Sequence, residues 1–149
     1  MTTVREIRLK SRPSGTPVAD NFELATLDLP TPGAGEVQVK NLWMTVDPYM
    51  RGRMNDVKSY VPPFQIGKAL EGGAVGQVTA SNDPALKPGD LVQSNFGWRE
   101  GFNAPAAQVQ KLPATNLPPQ AFLGAAGMPG LTAYAGLLRV AELKAGDIV

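Results

Sequence analysis

The chain has 149 residues, 43% of them hydrophobic and 18% charged, which suits about one domain with a sizeable core. Fourteen Lys and Arg against thirteen Asp and Glu leave a net charge of +1, which excludes the dense positive field that tracking nucleic-acid phosphates requires. Cysteine and histidine are both absent, so disulfides, thiolate nucleophiles, imidazole bases and the usual zinc ligand sets are excluded within this chain.

Any chemistry falls to Tyr, Ser, Thr, Lys, Arg, carboxylates or a borrowed cofactor. Sixteen Gly and fourteen Pro point to many short elements joined by tight turns rather than a helical bundle. No apolar run approaches the roughly 20 residues of a membrane helix, and the opening Met1 to Glu6 is too polar for a secretory segment. A cytoplasmic protein is the default expectation, with no membrane and no nucleic-acid partner.

Val4 to Leu9 alternates polar and apolar residues and predicts a half-buried strand, with Arg5, Arg8, Lys10 and Arg12 on or beside it as a bland solvated surface. Pro13-Ser14-Gly15-Thr16-Pro17 breaks the chain, Phe22 to Leu29 resumes an extended pattern, and Pro30 to Gly35 turns it. Glu36 to Asp47 is the clearest strand. Its apolar phase changes near Asn41, which predicts a bulge or burial on both faces. Pro48 ends it, and irregular structure is expected through Pro63.

Ala69 to Thr79, with Gly72, Gly73 and Gly76, predicts a bent strand packed closely against other backbone. Glu71 stands where a dinucleotide fingerprint needs glycine, so a phosphate cradle is not the reading there. Lys87-Pro88-Gly89-Asp90 is a turn signal leading into a strand at Leu91-Val92, and Phe102 to Leu112 predicts another short strand. So many short strands describe an antiparallel barrel or sandwich.

After Pro118-Pro119 the texture turns to Ala, Leu and Gly. Gln120 to Ala126 predicts two helical turns, and Leu131, Tyr134, Leu138 and Ala141 fall at the spacing of one buried helix face. Gly124, Gly127 and Gly130 recur every third residue without a Walker lysine, and Met128-Pro129-Gly130 is read as separating two helices and bringing backbone close to something flat. Lys144-Ala145-Gly146-Asp147-Ile148-Val149 repeats the pattern of Lys87 to Val92, a turn followed by the first residues of a strand. A chain stopping two residues into a strand is expected to be part of a longer polypeptide.

The acids are too scattered to supply an acid-base pair, and Lys58-Ser59 is too isolated for a dyad. Arg51, Arg53 and Lys58 read as a solvated loop before an anion site. Tyr49 and Tyr60 lie in the Pro- and Gly-rich connection after the strongest strand, where sites tend to sit. Without histidine, a tyrosine hydroxyl is the most suitable neutral proton donor, although the residues alone favour packed tyrosines with surface hydroxyls.

Thr45-Val46-Asp47-Pro48-Tyr49-Met50-Arg51-Gly52-Arg53-Met54, then Ser59-Tyr60-Val61-Pro62-Pro63-Phe64-Gln65-Ile66-Gly67, and later Leu123-Gly124-Ala125-Ala126-Gly127-Met128-Pro129-Gly130-Leu131-Thr132-Ala133-Tyr134 carry a resemblance. Over essentially its whole length the chain resembles the zinc-independent medium-chain dehydrogenase/reductases. Among them it is similar to the NADPH-dependent enone reductases, the group of curcumin, prostaglandin or leukotriene, and plant alkenal reductases.

The resemblance implies a mainly β fold with C-terminal helices, a GroES-like partly open barrel, normally followed by a Rossmann domain that is absent here. Residues 1–140 would be the catalytic, substrate-side domain, and 141–149 the start of a nucleotide-binding domain. The implied function is NADP-dependent reduction of the carbon–carbon double bond of α,β-unsaturated ketones or aldehydes by hydride transfer. The isolated fragment is expected to be inactive, because most of the NADPH site would lie beyond residue 149, and a homodimer is expected at full length.

By the same resemblance Tyr60 is the candidate catalytic donor and Tyr49 a substrate-stacking wall. Met128 and Thr132 would border the nicotinamide, and no metal is implied. Gly73 stands where the plant alkenal reductases carry a substrate-side tyrosine, which implies a roomier or differently shaped pocket. The competing reading is a self-contained GroES-like binding or interaction module without redox activity.

Overall fold

The computed structural model describes residues 1–149, which divide into two units, Met1–Pro113 and Ala114–Val149. In the first unit, β1 (Thr2–Leu9) and β2 (Phe22–Leu29) pair antiparallel in unbroken register from Thr2 opposite Leu29 to Leu9 opposite Phe22. The alternation of β1 buries Val4 and Glu6 on one face, and Leu9 at the end of the strand is buried on the opposite phase.

A second sheet of five strands comprises β3 (Glu36–Met44), β4 (Ala74–Ser81), β5 (Leu91–Ser94), β6 (Gly101–Pro105) and β7 (Gln110–Lys111). Their order is β6-β3-β4-β5-β7, with every pair antiparallel. Both sheets are open, so the expected barrel is β-rich but not closed.

Two apolar clusters hold this unit. Val37, Val39, Val78, Leu86, Val92, Phe102 and Ala104 fill one face of the larger sheet. Leu9, Met50, Met54, Phe64 and Leu70 form the other, with Ile7, Phe22 and Trp98 packed against it. Burying a Val, Leu or Met side chain is worth about 1.5–3 kcal/mol, so Met50 and Met54 alone give strong reason for the chain after β3 to fold back.

The phase change near Asn41 is a bulge: the β3–β4 register shifts between Asn41 and Trp43, and again between Gln38 and Val39. Past the bulge Leu42, Trp43 and Met44 are each roughly two-fifths exposed. The strand ends at Met44, three residues before the expected Asp47.

Three expectations need correction here. The connection after β3 is not wholly irregular, since Tyr49–Arg53 forms a short helix, α1. Pro48, at φ −56°, is preset for helical entry, and buried Met50 and Met54 anchor one side of the turn. The segment from Phe102 to Leu112 is two strands, β6 and β7, separated by a 3₁₀ turn at Ala106–Gln108. The strand expected from Ala69 begins only at Ala74, and Ala69 and Gly72 make isolated bridges to Arg8 and Phe96 instead.

Glycine at 76 is required by packing: a Cβ there would meet Val39 Cγ1 at 2.5 Å and the Lys40 carbonyl oxygen at 2.7 Å. At Gly72 a Cβ would overlap the Met50 methyl, so the close approach read from the sequence is present at both positions.

In the second unit, the helical turns expected over Gln120 to Ala126 are a 3₁₀ helix that begins at Pro119 and ends at Leu123. Helix α2 (Met128–Tyr134) runs on into a π-helical turn, Ala135–Val140. The stripe of Leu131, Tyr134 and Leu138 is laid out as expected but is not buried, with exposures of 60%, 54% and 46%. Helical spacing fixes a face, and covering that face takes a partner element that 114–149 do not provide.

The paired turns are real. Asp90 N–H donates to the Lys87 carbonyl and Asp147 N–H to that of Lys144, while the carboxylates of Asp90 and Asp147 accept the amides of Lys87 and Lys144 at 3.0 and 2.7 Å. Gly89 and Gly146 occupy φ +96° and +98°. After the second turn Ile148 and Val149 are exposed and form no strand. No helix is long and apolar enough to cross a membrane.

Candidate functional site

Helix α1 sorts its five residues by the i, i+4 rule. Met50 faces the second core cluster, joined by Met54 just past the helix end, whereas Tyr49 and Arg53 share the other side and line a cavity of about 740 Å³. Tyr60, Glu71, Phe96 and Arg99 line the same space. Tyr49 and Tyr60 also border a smaller cavity of about 380 Å³ beneath the loop that follows α1.

The two candidate tyrosines are therefore brought together, in different settings. Tyr49 is 42% exposed, and its hydroxyl is held above the ordinary tyrosine value, first by desolvation and then by the charge of Asp47, with Arg53 opposing. Tyr60 is 89% exposed at the rim.

Arg53 organises the wall between them. Its Nη2 pairs with Glu71 Oε2 at 2.8 Å, its Nε donates to the Pro62 carbonyl at 3.0 Å, and its guanidinium carbon lies 4.1 Å from the Phe64 ring centroid. Arg51 donates to the carbonyls of Pro13 and Gly15 and to Asn55 Oδ1. These arginines tie chain to chain, so neither is the solvated loop cation nor the anion site considered from the sequence.

Arg99 was not legible as a site residue. It donates to the Gly97 and Leu70 carbonyls at 3.1 and 2.9 Å, and burial lowers its tendency to hold a proton, opposed by the charges of Glu6 and Glu71. Beside it Trp98 sits at φ +60°, rare for so bulky a residue, with its indole N–H buried and without a partner.

The cations near β1 are also more engaged than a bland surface. Arg5 pairs with Glu100 and Arg8 with the buried Glu6. Opposite charges at Arg53 and Glu71 were the one available sequence signal, and their eighteen-residue separation hid it.

Met128 and Thr132 belong to the second unit. Met128 is 70% exposed at the start of α2, and the Thr132 hydroxyl donates to the Met128 carbonyl at 2.8 Å. That hydrogen is committed within the helix, leaving the Thr132 oxygen free to accept. Backbone does come close here, to the chain's own preceding turn: a Cβ at Gly127 or Gly130 would overlap the carbonyls of Phe122 or Ala125.

Comparison with known proteins places this geometry. Residues 5–112 match the family described as the N-terminal domain of oxidoreductase. The chain is 45% identical over 145 residues to a putative NADP-dependent oxidoreductase, YfmJ, of Bacillus subtilis, covering 97% of this chain and 42% of that protein. It is 43% identical over 139 residues to the NADPH-dependent curcumin reductase of Escherichia coli, covering 93% and 40%.

The crystal structure of CurA from Vibrio vulnificus in complex with NADPH superposes with a TM-score of 0.87 at 42% identity, covering 96% of this chain and 42% of that one. The chain thus spans about two-fifths of the length of these relatives. It belongs to the medium-chain oxidoreductase family of the NADP-dependent curcumin, alkenal and prostaglandin reductases, and matches that family's N-terminal domain.

Proposed function

We propose that this chain is the substrate side of an NADP-dependent enzyme that reduces the carbon–carbon double bond of α,β-unsaturated ketones or aldehydes. The observation that carries the reading is the 740 Å³ cavity in which Tyr49 and Tyr60 meet. In a chain with no histidine or cysteine, these are the two hydroxyls that line a space of ligand size. The curcumin reductase of Escherichia coli and the NADPH complex of CurA support the choice of substrate class and cofactor.

The residues present suit the nicotinamide end of the cofactor: an exposed thioether at Met128 to pack on a ring, and an acceptor oxygen at Thr132 for an amide N–H. When bound, the cofactor supplies the hydride. This chain's part is to hold the enone against the Tyr49 ring and to place the Tyr60 O–H toward the enolate oxygen or α-carbon, where charge develops. Residues 1–140 serve as the substrate domain in this reading, and 141–149 lead into the nucleotide-binding part.

The test joins residues 1–149 to the remaining length of the Escherichia coli curcumin reductase and follows NADPH oxidation. Oxidation that requires an enone and does not occur with the matching saturated ketone supports the proposal. An active chimera that does not discriminate between the two overturns it.

A further inference from the structure

The loop after α1 carries Tyr60 and is held almost entirely at its ends. Phe64 N–H donates to the Arg53 carbonyl at 2.7 Å, closing the neck, while no hydrogen bond holds residues 57–61. Across this neck lies a side chain from a distant segment. Arg12 Nη1 donates to the Met54 carbonyl at 2.9 Å and to the Phe64 carbonyl at 3.3 Å, one on each side of the loop, and its Nη2 lies 3.5 Å from Asp56 Oδ2. Arg51 returns the tie by donating to the carbonyls of Pro13 and Gly15, the residues just after Arg12.

We infer that Arg12 is a positioning residue, which fastens both ends of the Met54–Phe64 loop and so sets where Tyr60 stands over the cavity. One Nη carries two hydrogens and can serve two carbonyls at once, and the planar fork leaves the second Nη for the carboxylate. The Arg12 side chain is only 26% exposed, and Met54 and Phe64 are core residues, so these bonds are shielded. With its ends pinned, the stretch between them moves as a short flap; with Arg12 removed, the neck keeps the Phe64–Arg53 bond and the burial of Met54 and Phe64 but loses the side chain that spans both ends, and the flap opens more readily. The consequence for catalysis rests on the reading of Tyr60 as proton donor, whereas the fastening itself does not.

Limited trypsin digestion of this chain decides the matter. Lys58 precedes Ser59 in the flap, and Lys40 sits inside β3, paired to Gln77 on one side and Gly101 on the other, where cleavage requires the sheet to open. The readout is the ratio of cleavage after Lys58 to cleavage after Lys40. Arg12→Met is expected to raise that ratio by about tenfold or more, the scale of lost charge-assisted hydrogen bonds. Arg12→Lys, whose ammonium is a single point of donation, is expected to fall between variant and parent. A ratio unchanged in Arg12→Met, because both sites stay slow or accelerate together, overturns the inference. If the methionine variant does not fold, the lysine variant decides alone: a raised ratio supports the inference and an unchanged one overturns it.

Discussion

Arg53 and Phe64 hold each other twice: the Phe64 amide donates to the Arg53 carbonyl at 2.7 Å, and the Arg53 guanidinium lies 4.1 Å from the Phe64 ring centroid. Phe64 is buried in the second core cluster, so the arrangement ties the cavity wall to the core. Replacing Arg53 by Met removes the ring contact, the bond to Pro62 and the pair with half-exposed Glu71. The expected loss is about 1–3 kcal/mol after allowance for screening on the Glu71 side. Urea unfolding checks it. A midpoint unchanged from the parent would mean that Arg53 is not part of the wall's support.

The glycines of the bent segment make a second prediction. At Gly76 an added Cβ meets a backbone carbonyl that cannot step aside, whereas at Gly72 it meets the end of the flexible Met50 side chain. Gly76→Ala is therefore expected to cost more than Gly72→Ala, each within about 1–3 kcal/mol or somewhat above for Gly76. Denaturant titration of both gives the order, and the reverse order contradicts the packing account.

The turn at Lys87–Asp90 makes stability depend on pH. Asp90 accepts Lys111 Nζ at 2.7 Å and the Lys87 amide, which holds its carboxyl below the ordinary value of 3.8. A carboxylate with a depressed folded value stabilises fully above its unfolded value and loses that contribution as pH falls through the folded one. Asp90→Asn is accordingly expected to lower Tm at neutral pH, and the gap to the parent to narrow as pH drops below 3.8. Circular dichroism melts from neutral pH down to ~pH 2 test this, and a constant gap contradicts it.

Leu131, Tyr134 and Leu138 share one helix face and are between 46% and 60% exposed, with Met128 at 70% where the helix begins. Such a stripe promotes association, and the chain is expected to self-associate in sedimentation experiments. The double substitution Leu131→Lys and Leu138→Lys should shift it toward monomer. Equal association by parent and variant would place the contact elsewhere.

Much of the first unit was legible because its signals are local. Alternation marked β1, an extended run between Pro/Gly breaks marked β2, the phase change at Asn41 marked the bulge, and Lys-x-Gly-Asp marked both turns. Helix α1 escaped because Pro48 read as the start of irregular structure, while the burial of Met50 and Met54 that stabilises the turn comes from tertiary contact. The exposed stripe of α2 escaped because periodicity names a face without saying whether it is covered. Tyr49 and Tyr60 were picked out as candidates by type and position, and they line one cavity. The arginines that fasten the neighbouring segments were not: Arg12 is one cation among four near β1, and only the folded neck distinguishes it.

The most direct test of the proposed chemistry compares Tyr60→Phe with its parent in the chimera of residues 1–149 and the remaining length of the Escherichia coli curcumin reductase. General acid assistance is worth roughly 10²- to 10⁴-fold, so kcat for an enone is expected to fall by about two orders of magnitude. Tyr49→Phe, which keeps its ring as a wall, should cost little, and Tyr49→Ala should mainly raise KM for bulky enones. An unchanged kcat for Tyr60→Phe would contradict the account and move the proton donor away from this residue.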